Sequence, residues 1–456
     1  MMTGEPMIND PAQVRDLLDI PFSTEQLAVI GAPLEPCVVI AGAGTGKTTV
    51  MAARVVWLVA SGQVRADQVL GLTFTRKATA ELAGRIDTAL RASGTLKTGD
   101  PSATVATYDG FAASLVDEYG AWDGVEPGAR LITRARSHQL ALQVVAGLDR
   151  PPRMAERLAP ISIAEAIVAL SDEMGAHLAD VDRVRAADRS WRQALADAPT
   201  RRGGQLYADV ARAMAAVDER EELLGMVEDY RRLKEERGLV EYADRMAQAA
   251  RLAAHRPQVG RDLRRRFRVV LLDEYQDTSS AQAQLLSDLF TGPDAARGLG
   301  HPVTAVGDPL QAIYGWRGAA ASNILSFGRQ FPALDEAGAP RPATEFSLLT
   351  NRRSGTRILD CANDISAALR SSALGSATAT AGGSAPWRRR TGPDPGRRCA
   401  TATSAGPASA PGWPTAWSRP APAARSAPGR TPRCWCAATP TSQTCTPLWW
   451  AVRSRF

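Results

Sequence analysis

The chain is 456 residues long, 45% hydrophobic and 22% charged, with a formal net charge of +6, and its length allows two to four domains of roughly 150 residues. The charge is uneven: residues 375–456 hold 11 Arg, no Lys and one Asp, a local balance of +10 that leaves −4 on residues 1–374, so nucleic-acid binding by those 374 residues has to be argued from motifs and not from overall basicity. The opening "MMTGEPMIND" lacks a basic stretch followed by an apolar one, no apolar run approaches the ~20 residues that span a bilayer, and only Cys37 and Cys361 of the six Cys precede residue 375; neither a secretory leader nor a membrane partner is expected, nor a disulfide framework before residue 375, and a cytoplasmic protein is the expectation.

In chain order, the apolar runs "CVVIAGAG" and "VLGLTFT" each lead into a helical pattern, "TTVMAARVVWLVA" and "KATAELAGRIDTALRA". Strand and helix in alternation predict an α/β fold with a parallel sheet. From 119 to 240 the strand signal disappears and segments such as "ISIAEAIVALSDEM" and "EELLGMVEDYRRLKEERG" predict helices. Strand-like runs resume at "FRVVLLDE" and "PVTAVGD", so one α/β domain, residues 1–118 and 241–340, is expected to be interrupted by a helical insertion at 119–240.

"VVIAGAGTGKTT" reads as a strand, a Gly-rich turn and a helix. Gly42, Gly44 and Gly46, with Ala43 and Thr45 between them, would let main-chain N–H groups approach phosphate oxygens at a helix N-terminus. Lys47 would reach the β and γ phosphates, Thr48 would ligate Mg²⁺, and Thr49 lies beside it. Ala41 stands where the strict pattern has its first Gly. "FRVVLLDEYQD" supplies the acidic partner at a strand end: Asp273 would hold Mg²⁺, and Glu274 would orient or deprotonate an attacking water. Together the two motifs predict a RecA-like P-loop nucleotide hydrolase.

The order "FSTEQLAVI", "AGAGTGKTT", "LTFTRKATAEL", "TYDGF", "LLDEYQDTS", "VGDPLQAIYGWRGA" and "LLTNRRS" resembles the UvrD/Rep class of superfamily 1 ATP-dependent DNA helicases. "MAARVVWLVASGQ" followed by "VLGLTFTRKATAEL" further resembles the actinobacterial AdnAB helicase–nuclease subunits, which would imply a second helicase–nuclease subunit as partner. The resemblance implies ATP and Mg²⁺ as cofactors and single-stranded and tailed duplex DNA as substrates. By the same resemblance Gln26 reads adenine, with a surface glutamine as the alternative. Thr73, Phe74, Thr75 and Arg76 track single-stranded DNA, although Phe74 could equally be core. Tyr108 lies in the next DNA-facing segment, where "TYDGF" replaces a commoner pattern. Gln311 senses the γ-phosphate, Tyr314 and Trp316 are platforms for unstacked bases, and Arg317 contacts phosphate or braces Asp308. Arg353 reaches the γ-phosphate from a second motor domain that starts at 341–373. Arg352 stands where the family has a Tyr that stacks on adenine, and a guanidinium plane can also stack; either Arg could instead be a solvated charge at a helix start. "EYAD", Glu241 to Asp244, resembles a degraded acidic motif and is assigned no chemistry.

A complete relative would continue with a "TxHxxKGLEW"-like and a "RRLxYVAxTR"-like motif, and neither follows Asn351. Residues 375–456 instead hold 12 Pro, 11 Arg and six Trp, with Leu448 and Val452 the only aliphatics beyond Ala. Such a segment lacks the side chains to offset the entropy of ordering and is not expected to fold alone. Arg without Lys, among Ala, Pro, Gly, Ser and Trp, is what G+C-rich codons give out of frame. A frameshift near residue 372 is the expectation, with a genuine basic tail that binds nucleic acid or a partner as the alternative. A chain so ended is expected not to unwind DNA, its alternative role being an ATP- and DNA-binding fragment without motor activity.

Overall fold

Short β-branched runs build the centre of the molecule. In the computed structural model, which describes residues 8–125, 128–197, 205–371 and 388–389, they form a six-stranded parallel sheet. Its strands are β1 (Cys37–Ala41), β2 (Val69–Thr73), β3 (Thr104–Thr107), β4 (Val269–Leu272), β5 (Val303–Gly307) and β6 (Thr344–Leu348), in the order β6-β1-β5-β4-β2-β3. Side chains alternate between the two faces. Val38, Ile40, Leu70, Leu72, Val270 and Leu272 pack under the helices Tyr108–Tyr119, Tyr242–His255 and Ser280–Phe290. Val39, Ala41, Val69, Val269 and Leu271 pack under Thr24–Ile30, Lys47–Ala60 and Arg76–Ala92. Helices on both faces of a parallel sheet make the α/β fold that the alternating pattern predicts.

One boundary moves. Residues 344–348 were expected to open a second motor domain, but they pair along all of β1, from Cys37 beside Thr344 to Ala41 beside Leu348. The physical reason is burial: Leu348 and Phe346 pack into the same core as Val39. The residues beyond them, through the helix Thr356–Ser371, follow that edge strand. The tail from residue 372 lies outside the described residues apart from 388–389.

The chain divides into two compact units, residues 1–191 with 219–391, and residues 192–218 with 392–456. Within the second, Arg192 pairs with Asp218 and Arg212 with Asp209. Within the first, helices Arg134–Ala146, Pro160–Ala176 and the later part of Ala208–Glu236 bury Leu140, Ile163, Ile167, Leu224 and Tyr230 in a core of their own. Two-residue parallel strands, Arg130–Leu131 and Leu239–Val240, tie the entry and exit of this helical segment together; runs that short carry no periodicity to read. No helix among the described residues is long and apolar enough to cross a membrane.

The "EYAD" stretch acquires a structural role at that exit. Glu241 accepts hydrogen bonds from Ser137 at 2.5 Å, Tyr230 at 2.8 Å and Lys234 at 2.7 Å, and Lys234 also meets Asp244 at 2.6 Å. Burial pushes the Glu241 carboxyl up, but Lys234 and the hydroxyl donors outweigh it and leave the pKa below its ordinary value of 4.5. That contribution to stability is complete above the ordinary value and is lost as pH falls below it. Lys234→Met strands two carboxylates with the ammonium gone, and it should cost about 3 to 5 kcal/mol in urea unfolding at pH 7; a loss under 1 kcal/mol would show that the network is not structural.

Candidate nucleotide and nucleic-acid site

The nucleotide elements converge at the carboxyl ends of β1, β5 and β4, three adjacent strands, which is where open parallel sheets place ligands. Ala41 is the last residue of β1, with its methyl in the core, so a side chain is tolerated and the loop proper begins at Gly42. Gly44 and Gly46 have φ of 73° and 90°, the left-handed region that glycine enters without strain. Gly46 ends the turn and helix Lys47–Ala60 starts. Thr45 braces the loop from inside by donating its hydroxyl to the Gly42 carbonyl at 2.8 Å. Ala43, Thr48 and Thr49 are half-buried at its rim, and Thr49 accepts a hydrogen bond from Arg85 at 3.1 Å.

Lys47 leans across β5 to β4 and pairs with Glu274 at 2.8 Å. Glu274 follows the end of β4 with φ 48°, a left-handed conformation that costs a non-glycine residue and is characteristic of functional sites. Asp273 is buried, and burial together with Glu274 pushes its carboxyl up to about 6. Burial and Glu274 push Asp277 to about 6 as well, and one of its carboxylate oxygens is buried without a hydrogen-bond partner among the described residues. Burial also raises Asp308. Four carboxyl groups thus surround one ammonium.

Gln276 and Asp308 extend this cluster, and motif reading assigned neither of them a place in it. The Gln276 amide donates to Glu274 at 2.8 Å and accepts from the Asp308 N–H at 3.1 Å. Asp308 in turn accepts from the Gln311 amide at 2.6 Å. A Cβ on Gly307 would sit 2.2 Å from Gln276 Oε1, so glycine at the end of β5 is what lets Gln276 lie there. Both residues stand inside quoted motifs, "DEYQD" and "VGDPLQ"; only the fold reveals that they touch.

Gln26 is buried at the other side of the loop. Its amide accepts from Ser23 N–H at 3.1 Å, closing a capping box on helix Thr24–Ile30, and donates to the Thr45 carbonyl at 2.9 Å. One donor and one acceptor position of the amide remain. From beyond β6, Asn351 donates to the Ala43 carbonyl at 2.5 Å, and the Arg352 N–H donates to Gly44 at 2.8 Å. Asn351 Oδ1 also caps the N–H groups of Arg353 and Ser354, each at 2.8 Å. A Cβ on Gly44 would come within 2.7 Å of Arg353 Cβ, so exposed Arg353 rests against the phosphate loop. Nothing in the sequence reading singled out Asn351.

The residues expected to meet DNA separate into two groups. Phe74 and Tyr314, 240 positions apart in the chain, meet at a tilt with ring centroids 4.7 Å apart, and Tyr314 continues to Trp316 at 6.4 Å. Trp316 is 62% and Ile313 70% exposed, which is an accessible face and not a core. Exposed Thr75 caps helix Arg76–Ala92 and Arg76 begins it. Thr73 and Tyr108 do not reach that face. Thr73 is the last residue of β2, fully buried, with its hydroxyl bonded to Thr75 and Thr79. Tyr108 is the first residue of its helix after the Thr107 cap, points into the sheet and donates its hydroxyl to the Asp273 carbonyl at 2.9 Å. The side chain of Arg317 lies outside the described residues.

Residues 22–332 match the UvrD/REP helicase N-terminal domain. The chain is 30% identical over 365 residues to the ATP-dependent DNA helicase UvrD1 of Mycobacterium leprae, covering 78% of this chain and 40% of that protein. It is 28% identical over 379 residues to UvrD2 of Mycobacterium tuberculosis, 81% of this chain and 46% of the relative. Against DNA helicase II of Haemophilus influenzae the identity is 25% over 353 residues, 77% and 41% respectively. The chain therefore spans less than half the length of these relatives. With a phosphate loop, an acidic strand end and an aromatic face in one connected site, and a domain match over residues 22–332, the chain belongs to the UvrD/REP helicase family.

Proposed function

We propose that this chain carries the ATP-hydrolysing motor domain of a translocase on single-stranded DNA, serving DNA repair or recombination. The observation that supports it best is the run of hydrogen bonds from Lys47 and Glu274 through Gln276 and Asp308 to Gln311, which ends three residues before Tyr314. Gln311 for hydrolysis and Tyr314 for DNA contact thereby lie within one short stretch of chain.

The residues fit a Mg²⁺-bound nucleoside triphosphate. Gly44 and Gly46 open the loop to phosphate, Thr48 stands at the helix start, and burial with the neighbouring Glu274 pushes Asp273 up to about 6, a strain that a divalent cation would relieve while supplying charge neutralisation at the transferred phosphoryl group. Thr48 and Asp273 would hold the metal. Lys47 would exchange its bond to Glu274 for one to phosphate, leaving Glu274 free to orient a water. Gln276, bonded to the same Glu274 oxygen, passes that change to Asp308 and Gln311. The remaining donor and acceptor of Gln26 match the edge of adenine, and the planar Arg352 would lie against the base. Phe74, Tyr314 and Trp316 would hold unstacked bases, with Thr75, Arg76 and Arg317 along the backbone.

ATP turnover with and without single-stranded DNA tests the reading. DNA should accelerate turnover, and Trp316→Ala should weaken DNA binding by about 1 to 3 kcal/mol without altering ATP affinity; equal DNA affinity in variant and parent would take Trp316 out of the interface. The alternative role is an ATP- and DNA-binding fragment without motor activity. Strand displacement on a tailed duplex separates the two. Undetectable unwinding by the isolated chain is expected, and ATP-dependent unwinding would overturn the fragment role.

A further inference from the structure

At the amino ends of β4 and β5, a cavity of about 350 Å³ is lined by Arg261, Arg264, Arg265, Gly298, Gly300 and His301, among others. The nucleotide site lies at the carboxyl ends of the same strands, about 15 Å away at the rise of an extended strand. Residues 256–268, "RPQVGRDLRRRFR", hold six Arg and one Asp within a region whose overall charge is negative. Some of these cations are spent elsewhere: Arg256 faces Asp123 at 3.5 Å and Arg266 faces Glu118 at 3.7 Å. Those around the cavity are not. Arg261 has no ion-pair partner among the described residues, and Arg265 touches Asp262 only at 3.8 Å with its side chain 81% exposed.

Arg264 is fixed in place. Its guanidinium donates to the Leu289 carbonyl, and it is flanked so closely that a Cβ on Gly260 or on Gly298 would come within 2.8 Å of it. Burial and the neighbouring Arg261 both lower its pKa, the mark of crowded cations without a counter-ion. His301 forms the far wall, its ring stacked on Phe290 at 5.7 Å. Burial and Arg264 push its pKa down to about 4, so the imidazole is neutral at pH 7, and the buried Nε2 has no hydrogen-bond partner among the described residues.

We propose that this cavity binds a phosphomonoester, with its anionic oxygens on Arg261, Arg264 and Arg265, beside the neutral ring of His301. Three guanidinium groups match the charge and the forked geometry of phosphate. A monoester or inorganic phosphate presents three terminal oxygens to the three guanidinium groups, where a backbone phosphodiester presents only two. The ligand is either a small phosphate or the terminal phosphate of a nucleic acid strand.

The chain has four His, at 138, 177, 255 and 301, so their imidazole proton resonances report the site directly. Inorganic phosphate added to the full chain, against sodium chloride at equal ionic strength, should move the His301 resonance saturably. Arg261→Ala with Arg265→Ala, both exposed and replaceable without disturbing the core, should weaken that response at least tenfold and leave ATP turnover as in the parent. Arg264→Lys, which keeps the charge and loses the fork, should weaken it too. Blunt duplexes with and without a 5′-phosphate identify the source. Tighter binding of the phosphorylated duplex, lost in the double variant, assigns a nucleic acid end, while equal binding of both duplexes beside a phosphate response assigns a small ligand. A His301 resonance unmoved by phosphate and by both duplexes, or a shift that persists in the double variant, overturns the proposal.

Discussion

Lys47→Ala should reduce ATP turnover by roughly 10² to 10³-fold and weaken MgATP binding, because this side chain is the ammonium of a site otherwise made of carboxylates. Its Nζ lies 2.8 Å from Glu274, and its charge lowers the pKa values of Asp273, Asp277 and Asp308 against burial. Deleting it removes the cation that can reach phosphate from the loop and leaves the acidic cluster to repel a polyanion. Lys47→Arg should not restore the parent, since a guanidinium fork cannot occupy the space of a point charge between loop and Glu274. Calorimetric titration with MgATP and a turnover assay decide the matter. Unchanged affinity with persisting turnover would place the phosphates elsewhere.

The parts of this site that were legible in the sequence are those that one contiguous motif carries. A buried run entering "GAGTGKTT" states its strand, turn and helix together, and "VVLLDE" states a strand with its acidic end. Phe74 and Tyr314 were each assigned to DNA by resemblance, but not to each other, and their contact is a result of β2 and β5 ending at the same edge of the sheet. Gln276, Asp308 and Asn351 work through partners 32 to 308 positions away, and no local pattern encodes such contacts. Thr73 and Tyr108 lie away from the exposed aromatic face for a related reason. Their motifs border the DNA-facing edge, but the alternation of β2 and the first turn of the helix after β3 direct these two side chains inward. The edge strand β6 was missed as part of the sheet because "TEFSL" mixes polar and apolar residues as a partly exposed edge does, and only Phe346 and Leu348 give it a buried face.

The charge that develops on a transferred phosphoryl group needs a cation that approaches from outside the loop, and Arg353 is the residue proposed for that role. Its exposed side chain leaves the main chain beside Gly44, close enough that any Cβ on Gly44 would strike it. Asn351 holds that main chain with two hydrogen bonds to the turn and one to the Ala43 carbonyl, so the arginine and the phosphate loop are positioned as one piece. Arg353→Ala should therefore lower the single-turnover rate of ATP hydrolysis by about 10³-fold or more, the range of arginine fingers, while ATP affinity changes little. Arg353→Lys should recover only a small part of the rate, because a point charge does not bridge two oxygens. Asn351→Ala, which loosens the mounting without removing the cation, should produce a smaller loss, and its combination with Arg353→Ala should cost no more than Arg353→Ala alone. Additive losses in the double variant would mean that Asn351 acts on the loop by itself, and a parent-like rate in Arg353→Ala would assign the transition-state cation to another residue.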